Sequence, residues 1–354
     1  MKKLLVYISA VGMAMSLTVK PAVAGNEDRA GQAGANELLV NPWARTAGFG
    51  GANVALVRGV EAISLNVAGL GFNKGTEVAF AQTDWMRGTD IKISAFGVGQ
   101  KVGESGCLGL SVMSMRFGDI ERTTEVQPEG GLGTYSPQFL TVGFSYAKEF
   151  SNSIYGGLSI RLISESINDV KAQGVVLDAG IQYITGFNEA KDNLKFGIAL
   201  RNVGTPMKFD GEGLSYRNDN ASANINVLQQ QRVERFEMPS LVSIGISYDI
   251  QLKEEHRITP MISFTSNSFI RDQISLGAEY GFRKLFMLRA GYTLDKKDKN
   301  AIIDDEISAH LGLTAGASLM IPLGKSGKIF GVDYGYRSTK TFDGTHTIGV
   351  RFNL

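Results

Sequence analysis

The chain has 354 residues, 36 basic and 35 acidic side chains, and a mean hydropathy of −0.02. That charge balance leaves no electrostatic footprint for nucleic acid, and no partner of that class is expected. A single cysteine rules out an internal disulfide, and 43 glycines against 8 prolines suit long, closely packed strands better than disorder.

Residues 1–24 read as an export signal. Lys2 and Lys3 precede an apolar run from Leu4 to Val19, and Ala22, Val23 and Ala24 give the small-x-small pattern that signal peptidase reads before Gly25. No cysteine follows that site to carry a lipid, so the mature protein is expected to hold the membrane by its own fold. Cleavage leaves 33 basic against 35 acidic groups once Lys2, Lys3 and Lys20 are removed. Beyond the signal there is no uninterrupted apolar stretch of the ~20 residues that a spanning helix requires. Any crossing of a bilayer must then be made by strands.

Residues 25–75 do not alternate like strands and form a separate segment. From Thr76 to the end, apolar residues alternate with polar or small ones at period two, between turn signals. We expect strands at 76–83, 90–101, 106–117, 138–150, 153–164, 173–186, 193–204, 239–251, 256–266, 272–282, 285–295, 306–322, 328–338 and 345–354. These make an all-β, antiparallel transmembrane barrel of 14 strands over residues 76–354. With a periplasmic N-terminus, each even strand leads into a short turn, such as Gly103–Ser105, Ser151–Asn152 or the stretch around Asn188. The two longest connections, 118–137 and 205–238, follow strands three and seven and belong outside the cell. The second of these is the expected partner surface.

The pleat assigns the faces. Leu140, Val142, Phe144 and Tyr146 form one lipid-facing row. Leu194, Phe196, Ile198 and Leu200 form another, as do Ile274 to Phe282 and Phe330 to Tyr336 taken alternately. The opposite rows carry Arg161, Asp178, Lys195, Arg201, Glu279, Arg289, Asp333 and Arg351. A basic group would cost roughly 2–4 kcal/mol at the bilayer midplane, so these charges must face the lumen. The same rows hold Gly180, Gly197, Gly277, Gly281, Gly291, Gly331, Gly335 and Gly349, which leave room for close backbone approach. A filled lumen is the expectation, with glycines that merely relieve wall curvature as the alternative. The last strand alternates His346, Ile348, Val350, Phe352 and Leu354 with polar or small residues, as a strand that closes a barrel should. Pro206, Pro239 and Pro260 are where a lateral gap in the wall would be sought.

Within residues 25–75 the runs from Asn41 to Ala52 and from Val60 to Leu70 stand out. The pattern Arg45, Gly48, Gly50 and Gly51, followed by Asn66, Ala68 and Gly69, resembles the opening of the PorV/PorQ family, relatives of the FadL fatty-acid transporter. The resemblance implies an N-terminal hatch lodged in a fourteen-stranded outer-membrane barrel. It also implies a role in type IX secretion, with other outer-membrane proteins, surrounding lipid and the C-terminal domains of exported cargo as partners. Val67 stands where the FadL pattern carries proline.

No enzymatic chemistry or cofactor is expected. Gly48 to Gly51 lacks the Lys-Ser or Lys-Thr of a phosphate loop. His256, His310 and His346 fall on separate strands or turns without metal-ligand spacing, no Gly-x-Ser-x-Gly elbow is present, and Cys107 reads as a small wall residue. The functional expectation is a non-enzymatic, cargo-binding accessory barrel of a secretion machine in a Gram-negative outer membrane. The alternatives are a FadL-like transporter of hydrophobic small molecules and an accessory subunit of another outer-membrane assembly complex.

Overall fold

The computed structural model describes residues 29, 31–187, 190–220, 225–283, 285–295, 312–324 and 327–354. The export signal, Asn188, His310 and the first residues of the strand expected at 306–322 lie outside them.

The alternation from Thr76 onward is realised as a closed wall of 14 antiparallel strands. In chain order these are β1 (Thr76–Trp85), β2 (Ile91–Val102), β3 (Gly106–Arg116), β4 (Gln138–Ser151), β5 (Ile154–Ile167), β6 (Val170–Phe187) and β7 (Ala190–Gly204). They continue as β8 (Leu241–Tyr248 with Ile250–Lys253), β9 (His256–Asn267), β10 (Gln273–Phe282), β11 (Phe286–Asp295), β12 (Gly312–Leu323), β13 (Lys328–Arg337) and β14 (Thr345–Asn353). Each strand pairs with its predecessor, and β14 closes on β1 with Phe80 opposite Val350 and Glu77 opposite Asn353. Closure matters because hydrocarbon offers no partner to an unpaired backbone group.

The apolar rows form a continuous outer band through cross-strand neighbours: Phe80 beside Phe96, Phe144 beside Ile160, Ile198 beside Ile244, Leu276 beside Tyr292, and Tyr334 beside Ile348. Phe144 is 55% exposed and Ile348 58%. A monomer in water rarely shows so large an apolar surface, and lipid is the solvent that suits it.

Two of the departures from regular pairing place lumenal charges and were not visible in the alternation. Between β6 and β7 the register shifts where Leu177 and Ala179 face Val203 and Leu200. The extra residue leaves Asn202 with a φ of 61°, a left-handed conformation that Asn tolerates better than most residues. Its N–H donates to Asp178 Oδ1 at 2.7 Å and its Nδ2 donates to the Pro239 carbonyl at 3.0 Å. The bulge thereby ties both ends of the long β7–β8 connection together.

The second departure lies at β8, which is interrupted at Asp249. Ser247 pairs with Met261 and Ile250 with Ile258, so the ladder lapses opposite Pro260, which has no N–H to give, and then resumes in register. Thr259 Oγ1 donates to Asp249 Oδ1 across the break at 2.7 Å. On its other side Pro260 lies within the ladder, opposite Ala278. Pro206 and Pro239 fall outside the strands, in the β7–β8 connection. That connection carries a two-stranded ribbon, Ser215–Asn220 with Ile225–Gln230, and the β3–β4 connection a smaller one, Ile120–Glu121 with Thr134–Tyr135.

The apolar core sits inside the wall. It is built from residues 35–72, which form only short turns of helix: Asn36–Leu39, Ala44–Ala47, Val60–Ser64 and Val67–Phe72. Trp43, Phe49, Ile63 and Leu70 are among the largest fully buried side chains. They pack on small or thin wall residues such as Ala79, Ala95, Cys107, Ala147 and Met261. Burial of each large apolar side chain stabilises by about 1.5–3 kcal/mol.

Candidate functional site: the occupied lumen and its outer cavity

Wall glycines decide how closely the inner segment can approach. A β-carbon built on Gly197 would lie 2.6 Å from the Val54 carbonyl oxygen, on Gly291 2.5 Å from that of Phe49, and on Gly335 2.4 Å from that of Ala44. Gly180, Gly277 and Gly349 likewise face Asn66, Ala52 and Ala44. Gly331 serves differently, leaving room for Met320 and the Arg351 guanidinium, whereas a β-carbon on Gly281 would meet Arg257 only at ordinary contact distance. Gly97, Gly99, Gly109, Gly157, Gly245 and Gly316 face the segment as well. The sequence reading passed over these, although their inward parity was there to be counted.

Contacts with the segment run around the whole circumference. They pass from Val60 against β1 and β2, through Leu70 at β3, Gly71 at β4, Val67 at β5 and Asn66 at β6, to Val54 at β7 and β8. They then continue from Gly51 at β9 and Ala52 at β10 to Phe49, Gly48 and Ala44 at β11 to β14. A segment that touches every strand of a closed barrel lies within it.

The residues of the N-terminal pattern hold this segment together. Arg45 pairs with Glu61 at 3.2 Å and also donates to the Arg58 carbonyl. Glu61 in turn accepts from Thr46 Oγ1 at 2.9 Å. Gly50 and Gly51 take positive φ values of 60° and 88°, and the carbonyls of Gly48, Gly50 and Gly51 accept from wall hydroxyls on Thr314, Thr293 and Ser263. Asn66 Nδ2 bridges the Val54 carbonyl at 3.0 Å and the Ile181 carbonyl of β6 at 3.2 Å, while its Oδ1 accepts from the Ala68 N–H. Ala68 is buried against Tyr155 and Ile184. A β-carbon on Gly69 would strike the Val57 carbonyl at 2.2 Å.

All eight charges assigned to the lumen from the sequence are on inward rows, and most are paired. Arg161 bridges Asp178 at 2.7 Å, Arg289 bridges Glu279 at 2.9 Å, and Arg351 faces Asp333 at 3.4 Å. Lys195 pairs with Asp249 and Glu279 has a second partner in Arg257, both at 2.5 Å. Asp249 and Arg257 were not singled out in the sequence, because Asp249 falls at the break in β8 where the alternation fails. Among the described residues Arg201 has no carboxylate at ion-pair distance; its Nη1 donates to the Ser64 carbonyl at 2.8 Å. His256 and His346 each hydrogen-bond a tyrosine hydroxyl, of Tyr280 and Tyr334, at the start of β9 and of β14. Those starts lie at opposite ends of the barrel. Cys107 is buried with its Sγ toward the Asn73 carbonyl.

The segment runs from the long-loop end of the barrel to the short-turn end. At the outer end, Ala33 bridges Glu237 of the β7–β8 connection, Arg29 pairs with Glu237 at 2.7 Å, and Arg29 also lies over the Phe269 ring. Ala35 and Leu38 pack with Ile163, Val176, Met207 and Met238. At the inner end, the Gly75 carbonyl accepts from the Lys101 N–H where β1 begins. Between the outer stretch and the Gly50–Gly51 turn is a cavity of about 500 Å³. A smaller one of about 150 Å³ lies beneath the segment, lined by Arg58, Lys195, Asp249 and Arg257 among others.

Glu37 is a buried carboxyl on this outer stretch. Burial, reinforced by the adjacent Glu165 carboxylate, pushes its pKa up to about 8, with Arg161 opposing weakly. A raised carboxyl pKa means that the folded state holds a proton the unfolded chain has already released. Its stabilisation is complete below the ordinary value of 4.5 and is lost as pH rises through about 8. We expect a spin label at Asn36 to gain mobility as pH is raised across that window, by at most about 1.4 kcal/mol of weakened docking per pH unit. Glu37→Gln should remove the pH dependence.

Structural neighbours support the architecture. The toluene transporter TodX of Pseudomonas putida aligns with a TM-score of 0.54 at 12% identity, over 88% of this chain and 97% of TodX. The toluene transporter TbuX of Ralstonia pickettii aligns at 0.52 and 13%, over 88% and 97%. At these identities the likeness is one of fold. No curated protein matches the chain in sequence. The family model for the type IX secretion system membrane protein PorP/SprF matches residues 91–352. The pattern at residues 44–70 that resembles PorV/PorQ lies ahead of that match. Family and fold together locate the barrel in the outer membrane of a Gram-negative cell. With most of its wall covered by the match, this chain belongs to the PorP/SprF family of type IX secretion system membrane proteins.

Proposed function

We propose that this chain is a non-enzymatic, occluded barrel that acts in type IX secretion as an accessory component binding exported protein at its outer face. The observation that carries this reading is the lumenal segment, which contacts every wall strand and ties itself to them through main-chain carbonyls. A barrel filled in this way serves as a rigid platform, and the long β3–β4 and β7–β8 connections offer surface to a partner. The PorV/PorQ likeness of residues 44–70 supports cargo binding in particular, with the first 24 residues as the export signal. Affinity purification from mild detergent tests this: translocon components or exported cargo should be recovered with the barrel. Recovery of the barrel alone would contradict it.

The second reading is transport of hydrophobic small molecules, favoured by the toluene transporters among the structural neighbours. Against it stands the filled lumen, since the inner segment contacts every wall strand. A deletion strain that takes up such compounds at the wild-type rate would remove this reading.

A further inference from the structure

Three guanidiniums, those of Arg201, Arg271 and Arg337, line the outer cavity against one carboxylate, Asp295, among the described residues. Several of its donors lack a hydrogen-bond acceptor. Asn41 is only 8% exposed, its Oδ1 is used by the Trp43 N–H, and its Nδ2 has no partner. The Nε groups of Arg201 and Arg337 are also buried without an acceptor, and Arg337 has no ion pair among the described residues. A buried cation with no counter-charge is costly. So is an unsatisfied amide. An anion in the cavity would supply the counter-charge that Arg337 lacks among the described residues.

We propose that the outer cavity is a recognition pocket for a carboxylate carried on a short stretch of polypeptide. This rests on the reading that the barrel binds exported protein, and it names what is bound. Carboxylate suits the planar donor fork of arginine. The volume of about 500 Å³ lies in the range of ligand pockets, and a lining that mixes hydroxyls and amides with Leu39, Val40, Phe269 and Ile270 suits a peptide, which brings polar main-chain groups and apolar carbons together. Such a carboxylate has two sources, an acidic side chain or a chain terminus.

The test uses the full-length barrel in detergent and three tetrapeptides. One carries a single aspartate with both ends blocked, the second has asparagine in its place, and the third is the asparagine peptide with a free C-terminal carboxylate. Calorimetric titration should show the aspartate peptide, the free-ended peptide or both binding about tenfold or more tightly than the blocked asparagine peptide, since one charged hydrogen bond supplies that ratio. Which of the two binds identifies the source. Arg337→Gln should weaken this binding about tenfold, and Arg201→Gln similarly. Because Arg201 also ties the wall to Ser64, Arg337→Gln keeps the test open if the Arg201 variant does not fold. Equal binding of all three peptides, no binding by any, or indifference to Arg337→Gln would overturn the pocket. Co-purification of cargo is read separately, so the pocket can fail while the docking role stands, and the reverse.

Discussion

The double variant Gly197→Val with Gly291→Val is expected to lose roughly 2–6 kcal/mol of stability and to loosen the lumenal segment from the wall. The new β-carbons would lie 2.6 Å from the Val54 carbonyl oxygen and 2.5 Å from that of Phe49. Both obstacles are main chain, and neither can rotate aside as a flexible side chain would. Overpacking of this kind costs about 1–3 kcal/mol per site, and the two positions share no contact partner, so their effects should add. The control is Gly281→Ala, whose methyl would meet only the Arg257 guanidinium at 3.8 Å; its effect should stay within about 0.5 kcal/mol. Urea unfolding from lipid vesicles measures all three, and limited proteolysis of residues 41–72 reports release. Wild-type stability in the double variant would mean that the segment is not packed against these strands.

Glu279→Gln is expected to cost about 3–5 kcal/mol, because it removes a buried carboxylate shared by two guanidiniums in the lumen. Arg289 approaches Glu279 at 2.9 Å with its side chain fully buried, and Arg257 approaches at 2.5 Å. Without Glu279, Arg289 keeps the Ser318 hydroxyl but, among the described residues, no carboxylate at bonding distance. Arg257 retains only the more distant Asp249 at 3.9 Å. Adding Arg289→Met to Glu279→Gln should therefore restore a large part of the loss, since an apolar side chain removes the stranded charge. Urea midpoints at constant slope compare the variants. A double variant no more stable than the single would refute this account of the pair.

Much of the wall was legible because a membrane barrel imposes one rule on every strand: apolar toward lipid, small or polar inward. The alternation thus located β1 to β11 and β13 and β14 to within a few residues, along with the short turns among the described residues and the two long connections. Charges needed no structure to be assigned to the lumen, since lipid excludes them. What alternation cannot show is where it lapses. The bulge at Arg201 and Asn202 and the interruption at Asp249 each insert or unpair residues without changing composition, so the partners of Asp178 and Lys195 were hidden. The outer cavity was hidden for a related reason. Asn36, Asn41 and Glu37 belong to a stretch with no strand or long-helix periodicity, and its position is set by packing against Met207 and Met238, more than 160 residues away in sequence. Arg337 looked like an ordinary strand end until its isolation at the cavity wall was seen.

The lumen is filled by the chain's own residues. Current through single barrels inserted in a planar lipid bilayer measures this directly. We expect the mature protein to insert without a steady ionic conductance, and the Gly197→Val, Gly291→Val variant to open intermittently. A stable, porin-like conductance from the unaltered protein would contradict it.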